Sequence, residues 1–272
     1  MPSDGPRRHG PGSLTLGDPL SGATTGGGSE PQALAVHSLH AGYGTQIVLC
    51  GVDLDLSPGE WLALLGPNAS GKTTLLHCIA GMLRPFAGSI AICGHLLREE
   101  AMGAKRRLGF GAAPERLPVL LTGRQCMEIH AAAKGLAAID GDVLELAEEF
   151  RLTPMLDRFV GSYSLGTKQK LAVLLALLGE PALVVLDEAF NGLDPASALV
   201  LKRHLRARVS AGRCAVLLAT HALDVVERYS DRAALLLEGR IAREWGRQEL
   251  AALRAMPGEG LEAALAAASA QS

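Results

Sequence analysis

Residues Gly66-Pro67-Asn68-Ala69-Ser70-Gly71-Lys72-Thr73 fit the pattern G-x-x-x-x-G-K-S/T without a mismatch. These residue types at this spacing suit one task, which is to hold a chain of phosphates. Gly66 and Gly71 let the backbone curl so that the N–H groups of Pro67's neighbours Asn68, Ala69 and Ser70 point inward. Lys72 then offers an ammonium to the outer phosphates, and Thr73 a hydroxyl to Mg²⁺. A helix starting here adds the positive end of its dipole. The plainer alternative is a glycine-rich turn between two core elements.

A second pair with chemical potential is Asp187-Glu188, which follows the apolar run Leu183-Val184-Val185-Leu186. Phosphoryl hydrolysis needs a metal-holding carboxylate and a group that orients the attacking water. Neighbouring residues at a strand end supply both, with Asp187 as the metal carboxylate and Glu188 as base or water-positioner. By itself the pair also reads as two solvated acids closing a strand. His221 stands just past another apolar run; a lone histidine there is more often structural. His9, His37, His40, His77, His95, His130 and His204 have no comparable setting and read as incidental.

The surrounding elements suit these roles. Trp61 to Leu65 is a short apolar run, as a buried parallel strand requires. Leu75, Leu76, Ile79, Ala80 and Leu83 recur at helical spacing after the loop. Strand-like runs and turns fill residues 33–55, Ser57-Pro58-Gly59 turns the chain into the loop strand, and Gly88 to Ile92 is a further β segment. Leu120 to Leu178, rich in Ala, Leu, Glu and Lys, reads as helices. Leu171, Leu174, Leu175 and Leu178 mark one face of the last of them. Ala196 to Val209 reads as a helix, Cys214 to Ala219 as a buried strand, and Ala233 to Leu237 as a strand running into a hairpin-like turn at Glu238-Gly239-Arg240. Residues 1–32 are rich in Gly, Pro, Ser and Thr and read as a disordered tail. Leu261 to Ala270 reads as an alanine-rich helix.

Composition excludes several classes. The chain has 272 residues, enough to bury a full core. Twenty-six basic and 28 acidic side chains leave a net charge of −2, so bulk charge gives no sign of nucleic-acid binding, and none is expected. The five cysteines, Cys50, Cys78, Cys93, Cys126 and Cys214, are scattered, which fits a reducing cytosol better than a disulfide framework. No apolar run reaches the roughly 20 residues that span a bilayer; the nearest, Leu171 to Leu186, is broken by Gly179-Glu180-Pro181. The first residues lack the apolar segment of a signal peptide.

Taken in order, the motifs resemble the nucleotide-binding subunit of an ABC transporter over about Ala33 to Arg243. Tyr43 sits where the family's aromatic stacks on adenine, and Gly66 to Thr74 matches Walker A. Tyr163-Ser164-Leu165-Gly166-Thr167 is similar to the signature motif. Asp187 and Glu188 match Walker B and the catalytic glutamate, Asn191-Gly192-Leu193-Asp194 resembles the D-loop, and Thr220-His221 matches the switch histidine. The resemblance implies an α/β fold: a P-loop NTPase core with an antiparallel β subdomain and an inserted helical subdomain at about 120–178, within an ATPase domain at 33–245; the remaining residues 246–272, beyond the resemblance, read as a C-terminal helical extension. It implies ATP and Mg²⁺, with Lys72, Glu188 and His221 catalytic, Thr73 and Asp187 on the metal, and Ser164, Gly166 and Asp194 reaching a nucleotide shared between two subunits. The local sequence suits equally well a Ser164 that is only an N-cap, and the two roles are compatible. The implied partners are a second ATPase subunit and a transmembrane permease on a separate chain, at the inner face of the cell membrane.

Two departures matter. The signature reads Tyr-Ser-Leu-Gly-Thr, a version that leans toward exporters. The family's Q-loop glutamine falls on Ala113, whose methyl group cannot ligate metal; this keeps open a weakly hydrolysing regulatory subunit. A soluble ABC ATPase working on ribosomes or DNA is a further alternative, though such chains usually carry two cassettes or long insertions. A GTPase is disfavoured, because no N-K-x-D motif occurs.

Overall fold

The computed structural model describes residue 1, residues 31–255 and residues 260–270. The tail expected at 1–32 therefore lies almost wholly outside the described residues, as do parts of 246–272.

Leu34–Tyr43 (β1) and Gln46–Leu56 (β2) form an antiparallel hairpin. Its turn puts Gly44 at φ 57°, a conformation glycine adopts without strain. Trp61–Leu65 (β3) leads through the glycine loop into Lys72–Ile79 (α1). Ala87–Ile92 (β4) returns antiparallel beside β1, and His95–Leu96 (β5) pairs with β4. Ala101–Arg107 (α2) runs into Leu108–Gly111 (β6). Three helices follow: Gly123–Lys134 (α3), Gly141–Glu149 (α4) and Leu165–Leu177 (α5). Leu183–Asp187 (β7), Pro195–Ser210 (α6), Ala215–Ala219 (β8), Leu223–Tyr229 (α7) and Arg232–Leu237 (β9) then alternate. Arg240–Trp245 (β10), Arg247–Ala255 (α8) and Leu261–Ala270 (α9) complete the described chain.

The strands form two sheets. One has the order β2-β1-β4-β5 and is antiparallel; the other has the order β10-β9-β3-β8-β7-β6 and is parallel except at β10. The strands β3, β7 and β8 are apolar at successive positions because both faces of their sheet are covered. Leu183 and Val185 pack with α1 and the antiparallel sheet. Val184 and Leu186, one residue out of phase, pack with α5, α6 and the inserted helices. A third cluster joins Leu65 and Leu235 to Trp245, Leu250 and Leu261.

Two expectations are corrected. Periodicity placed Leu171, Leu174, Leu175 and Leu178 on one face of α5, but every residue from Leu171 to Leu178 is buried. From Leu171 onward this helix is packed by α3, α4, β6 and β7, so that part has no wet face to keep polar. In addition, α1 stops at Ile79; Gly81 at φ 65° turns the chain away, leaving Leu83 outside the helix.

Candidate functional site

The loop after β3 is shaped by two glycines in conformations other residues avoid, Gly66 at φ 150° and Gly71 at φ 108°. A Cβ on Gly66 would collide with the carbonyl oxygen of Leu236, and one on Gly71 would lie 2.8 Å from Leu49 Cδ2. The loop is tied to the β9–β10 turn by Gly239 N–H donating to the Ser70 carbonyl at 3.2 Å. No side chain caps the start of α1 and no acid occupies its first turn. Its leading N–H groups have no partners within the helix, and no acidic residue of its own competes with an anion for them. The buried Ser70 Oγ also lacks a hydrogen-bond partner.

Lys72 Nζ donates to the carbonyls of Gly66 at 2.6 Å and Pro67 at 3.0 Å, so the ammonium lies against its own loop. Burial lowers its pKa, and the charges of Glu188 and Asp187 oppose that shift. Thr73 Oγ1 donates to Asp187 Oδ2 at 2.8 Å, joining the first turn of α1 to the end of β7.

Glu188 sits just past β7 at φ 48°, a strained conformation for a residue with a side chain. Three hydrogen bonds hold it. Its N–H donates to the Ala219 carbonyl at 2.9 Å, Asn191 N–H donates to its carbonyl at 2.9 Å, and Asn191 Nδ2 donates to its Oε2 at 3.2 Å. Its other oxygen, Oε1, is buried 3.4 Å from His221 Nε2, close enough for charge contact but without the alignment of a hydrogen bond. The same imidazole nitrogen is 3.4 Å from Lys72 Nζ. Burial raises the Glu188 pKa and Asp187 adds to the rise, while His221 and Lys72 work against it.

These groups share one pocket of about 350 Å³ with Tyr43, whose half-exposed ring stands at the end of β1. Gln46 and Val48 on β2 line it too and were not anticipated. The only signal for Gln46 was its place opposite Tyr43 across a tight glycine turn.

Ser164, Gly166 and Asp194 are not among the residues lining this pocket. Ser164 caps α5, accepting from Thr167 N–H at 3.2 Å. A Cβ on Gly166 would come 2.6 Å from the Gly192 carbonyl oxygen, so glycine here permits close approach within the chain. Asp194 caps α6, accepting from Ser197 N–H at 2.9 Å and Ser197 Oγ at 2.7 Å, and pairs with Lys170 Nζ at 2.8 Å. Its carboxyl is held far below the usual range, first by Lys170 and then by Ser197. Ala113, an exposed residue after β6, starts a short 3₁₀ turn over Pro114–Arg116.

A glycine loop, an Asp-Glu pair and an imidazole converging at the ends of β3, β7 and β8 define a P-loop nucleotide-binding protein. The ABC transporter family profile matches residues 49–191, more than half of the chain. The Nod factor export ATP-binding protein I of Burkholderia thailandensis is 36% identical over 200 residues, 73% of this chain and 66% of that protein. The uncharacterized ABC transporter ATP-binding protein YdbJ of Bacillus subtilis is 36% identical over 217 residues, 79% of this chain and 70% of its own length. A solved structure described as the ATP binding subunit of an ABC transporter superposes with a TM-score of 0.77 at 30% identity, covering 87% of this chain and 99% of that one. The chain belongs to the ABC transporter ATPase family.

Proposed function

We propose that this chain is the ATP-binding and ATP-hydrolysing subunit that powers a separate transmembrane permease. The observation that carries the reading is the meeting of Lys72, Thr73, Asp187, Glu188 and His221, drawn from three separate segments, in one pocket. The loop amides and Lys72 grip the triphosphate, and Tyr43 offers a ring face to the base. Glu188 aligns the attacking water and His221 supports the terminal phosphate. Thr73 and Asp187 present hard oxygens 2.8 Å apart, the donor type that Mg²⁺ prefers. Among the described residues no three His, Cys, Asp or Glu side chains gather, so an ion held here takes the rest of its shell from phosphate and water. Bound there, the metal neutralises phosphate charge.

The wider reading is that two subunits close on ATP, with the exposed Ser164 turn and Gly166 facing the nucleotide of the opposite subunit, and Asp194 beside them. Residues 33–245 form the ATPase domain, 120–178 its helical subdomain and 246–272 an extension. Among the described residues no helix is long and apolar enough to cross a membrane, which fits a permease on another chain. Val119, Leu120 and Phe159, exposed apolar side chains of the helical region, suit its docking at the inner membrane face. The Nod factor export relative and the Tyr163-Ser164-Leu165-Gly166 sequence favour export. Ala113 favours one second reading, a regulatory subunit with slow turnover, because its methyl group offers no ligand.

Replacing Glu188 with Gln decides between hydrolysis and mere binding. E188Q is expected to retain ATP and to lose steady-state phosphate release by on the order of a hundredfold or more. It should also raise the unfolding temperature slightly at pH 7. A carboxyl whose folded pKa lies above its ordinary 4.5 costs stability once it is ionised, and that cost is relieved only as pH falls. Undiminished phosphate release by E188Q would remove the assigned role.

A further inference from the structure

Glu188 and His221 lie on different segments and touch through a 3.4 Å contact that is not an aligned hydrogen bond. The Glu188 N–H bond to the Ala219 carbonyl, two residues before His221, already holds the strand ends in register; a further tie can act on the segments that follow them. Lys202, on α6 and outside the pocket, is placed to supply it. Its Nζ lies 5.5 Å from the centroid of Phe190, two residues after Glu188. It lies 5.8 Å from the centroid of Tyr229 and 3.3 Å from Asp224 Oδ2, both on α7, the helix that follows His221. The side chain is only 17% exposed, so these attractions are partly shielded from water. One turn further along α6, Arg206 Nη1 donates to the Tyr229 carbonyl at 3.1 Å and to Asp231 at 2.9 Å, fixing the far end of α7.

We propose that Lys202 is a positioning residue for ATP hydrolysis, its ammonium tying the loop after Glu188 to the helix after His221. The proposal rests on the hydrolytic reading of Glu188. An ammonium between two aromatic faces attracts both, and Asp224 fixes its place between them. Without that charge, the link that Lys202 makes between Phe190 and α7 is lost. The backbone bond to Ala219 still holds the strand ends, but the Glu188 carboxylate and the His221 ring, joined by no aligned hydrogen bond, lose part of the support behind them, and the water-aligning geometry broadens. Nucleotide binding depends on the loop after β3 and does not involve this tie.

The test is steady-state ATP hydrolysis by the full chain with Mg²⁺, comparing wild type, E188Q, K202M, K202R and F190L, each with its unfolding temperature. Met keeps the apolar stem of Lys202 and removes its charge. K202M is expected to lower kcat roughly 5–30-fold, the range of one or two partly desolvated cation–π contacts. KM for ATP should stay within about twofold. K202R should recover most of kcat, and F190L should lower it in the same direction. Should K202M fail to fold, F190L and D224N decide the matter by the same kcat-against-KM split. Wild-type kcat in K202M and F190L, or K202R as slow as K202M, overturns the proposal while a dead E188Q leaves the hydrolytic reading standing. Full turnover in E188Q overturns both.

Discussion

Two helices of this chain begin in opposite ways. At the start of α1, glycine precedes the first turn, no side chain caps it, and its own charged residue is Lys72. At the start of α6, Asp194 closes the turn with its own carboxylate, which Lys170 neutralises at 2.8 Å. The backbone groups are the same in both, since the first N–H groups of any helix lack partners within it. In α6 the chain satisfies them from within, which stabilises the helix and leaves no welcome for an anion. In α1 they stay open, and the loop is held instead by Gly239 and by the close approach of Leu236 and Leu49. A helix start becomes a binding site when the fold, rather than a cap, supplies its support.

The largest effect expected from this contrast is at Lys72. K72M should weaken ATP retention roughly 10–100-fold, the loss of charge-assisted hydrogen bonds of about 1.5–3 kcal/mol. D194A should leave retention unchanged, as equilibrium binding of a fluorescent ATP analogue would show. If the two variants bind alike, the contrast has no functional meaning.

Next comes the support of the open loop. Gly71→Ala places a methyl group 2.8 Å from Leu49 Cδ2 at a φ of 108°, and should cost about 1–3 kcal/mol in urea unfolding. Gly44→Ala, at a positive φ with open space around it, should cost about 1 kcal/mol.

The capped start predicts a smaller loss. D194A should destabilise the chain by about 0.5–2 kcal/mol at neutral pH. Its ordinary pKa is 3.8 and its folded value lies lower, so the contribution is present above pH 3.8 and lost as pH falls through the folded value. Wild type and D194A should therefore begin to converge only below about pH 4 in acid unfolding and meet only as pH nears the far lower folded value. Convergence at higher pH would mean that Lys170 and Ser197 do not set the carboxyl.

The Ser164 start of α5 stands between these cases, capped from within yet exposed. S164A should cost about 0.5–1 kcal/mol of stability. It should also reduce the ATP-dependent dimer seen by light scattering if the turn completes a partner's site. Loss of stability with intact dimerisation would class it with α6.

Much of this was legible before any coordinates. Gly66 to Thr73 could be read directly, because a phosphate cradle needs a fixed run of backbone and so leaves a contiguous pattern. The runs Trp61–Leu65 and Leu183–Leu186 announced parallel strands buried on both faces. The segment Leu108–Gly111 gave no such signal, since its two glycines suggest a loop. It is a strand because α5 packs so tightly against it that a Cβ on Gly109 would meet the Ala176 carbonyl oxygen. The burial of α5 from Leu171 onward was hidden as well, because the part of a helix that is covered on all sides carries no stripe to read.

The sequence by itself determined the local chemistry: which residues grip phosphate, which carboxylates end a strand, and which stretches avoid water. Each of these depends on neighbours a few positions away. Only the tertiary structure decided that Asp194 spends its charge on Lys170, that Glu188 is strained against Ala219, and that Lys202 sits between Phe190 and Tyr229. Those contacts join residues far apart in the chain or across helices, and their energies depend on distance and burial, which no linear pattern records.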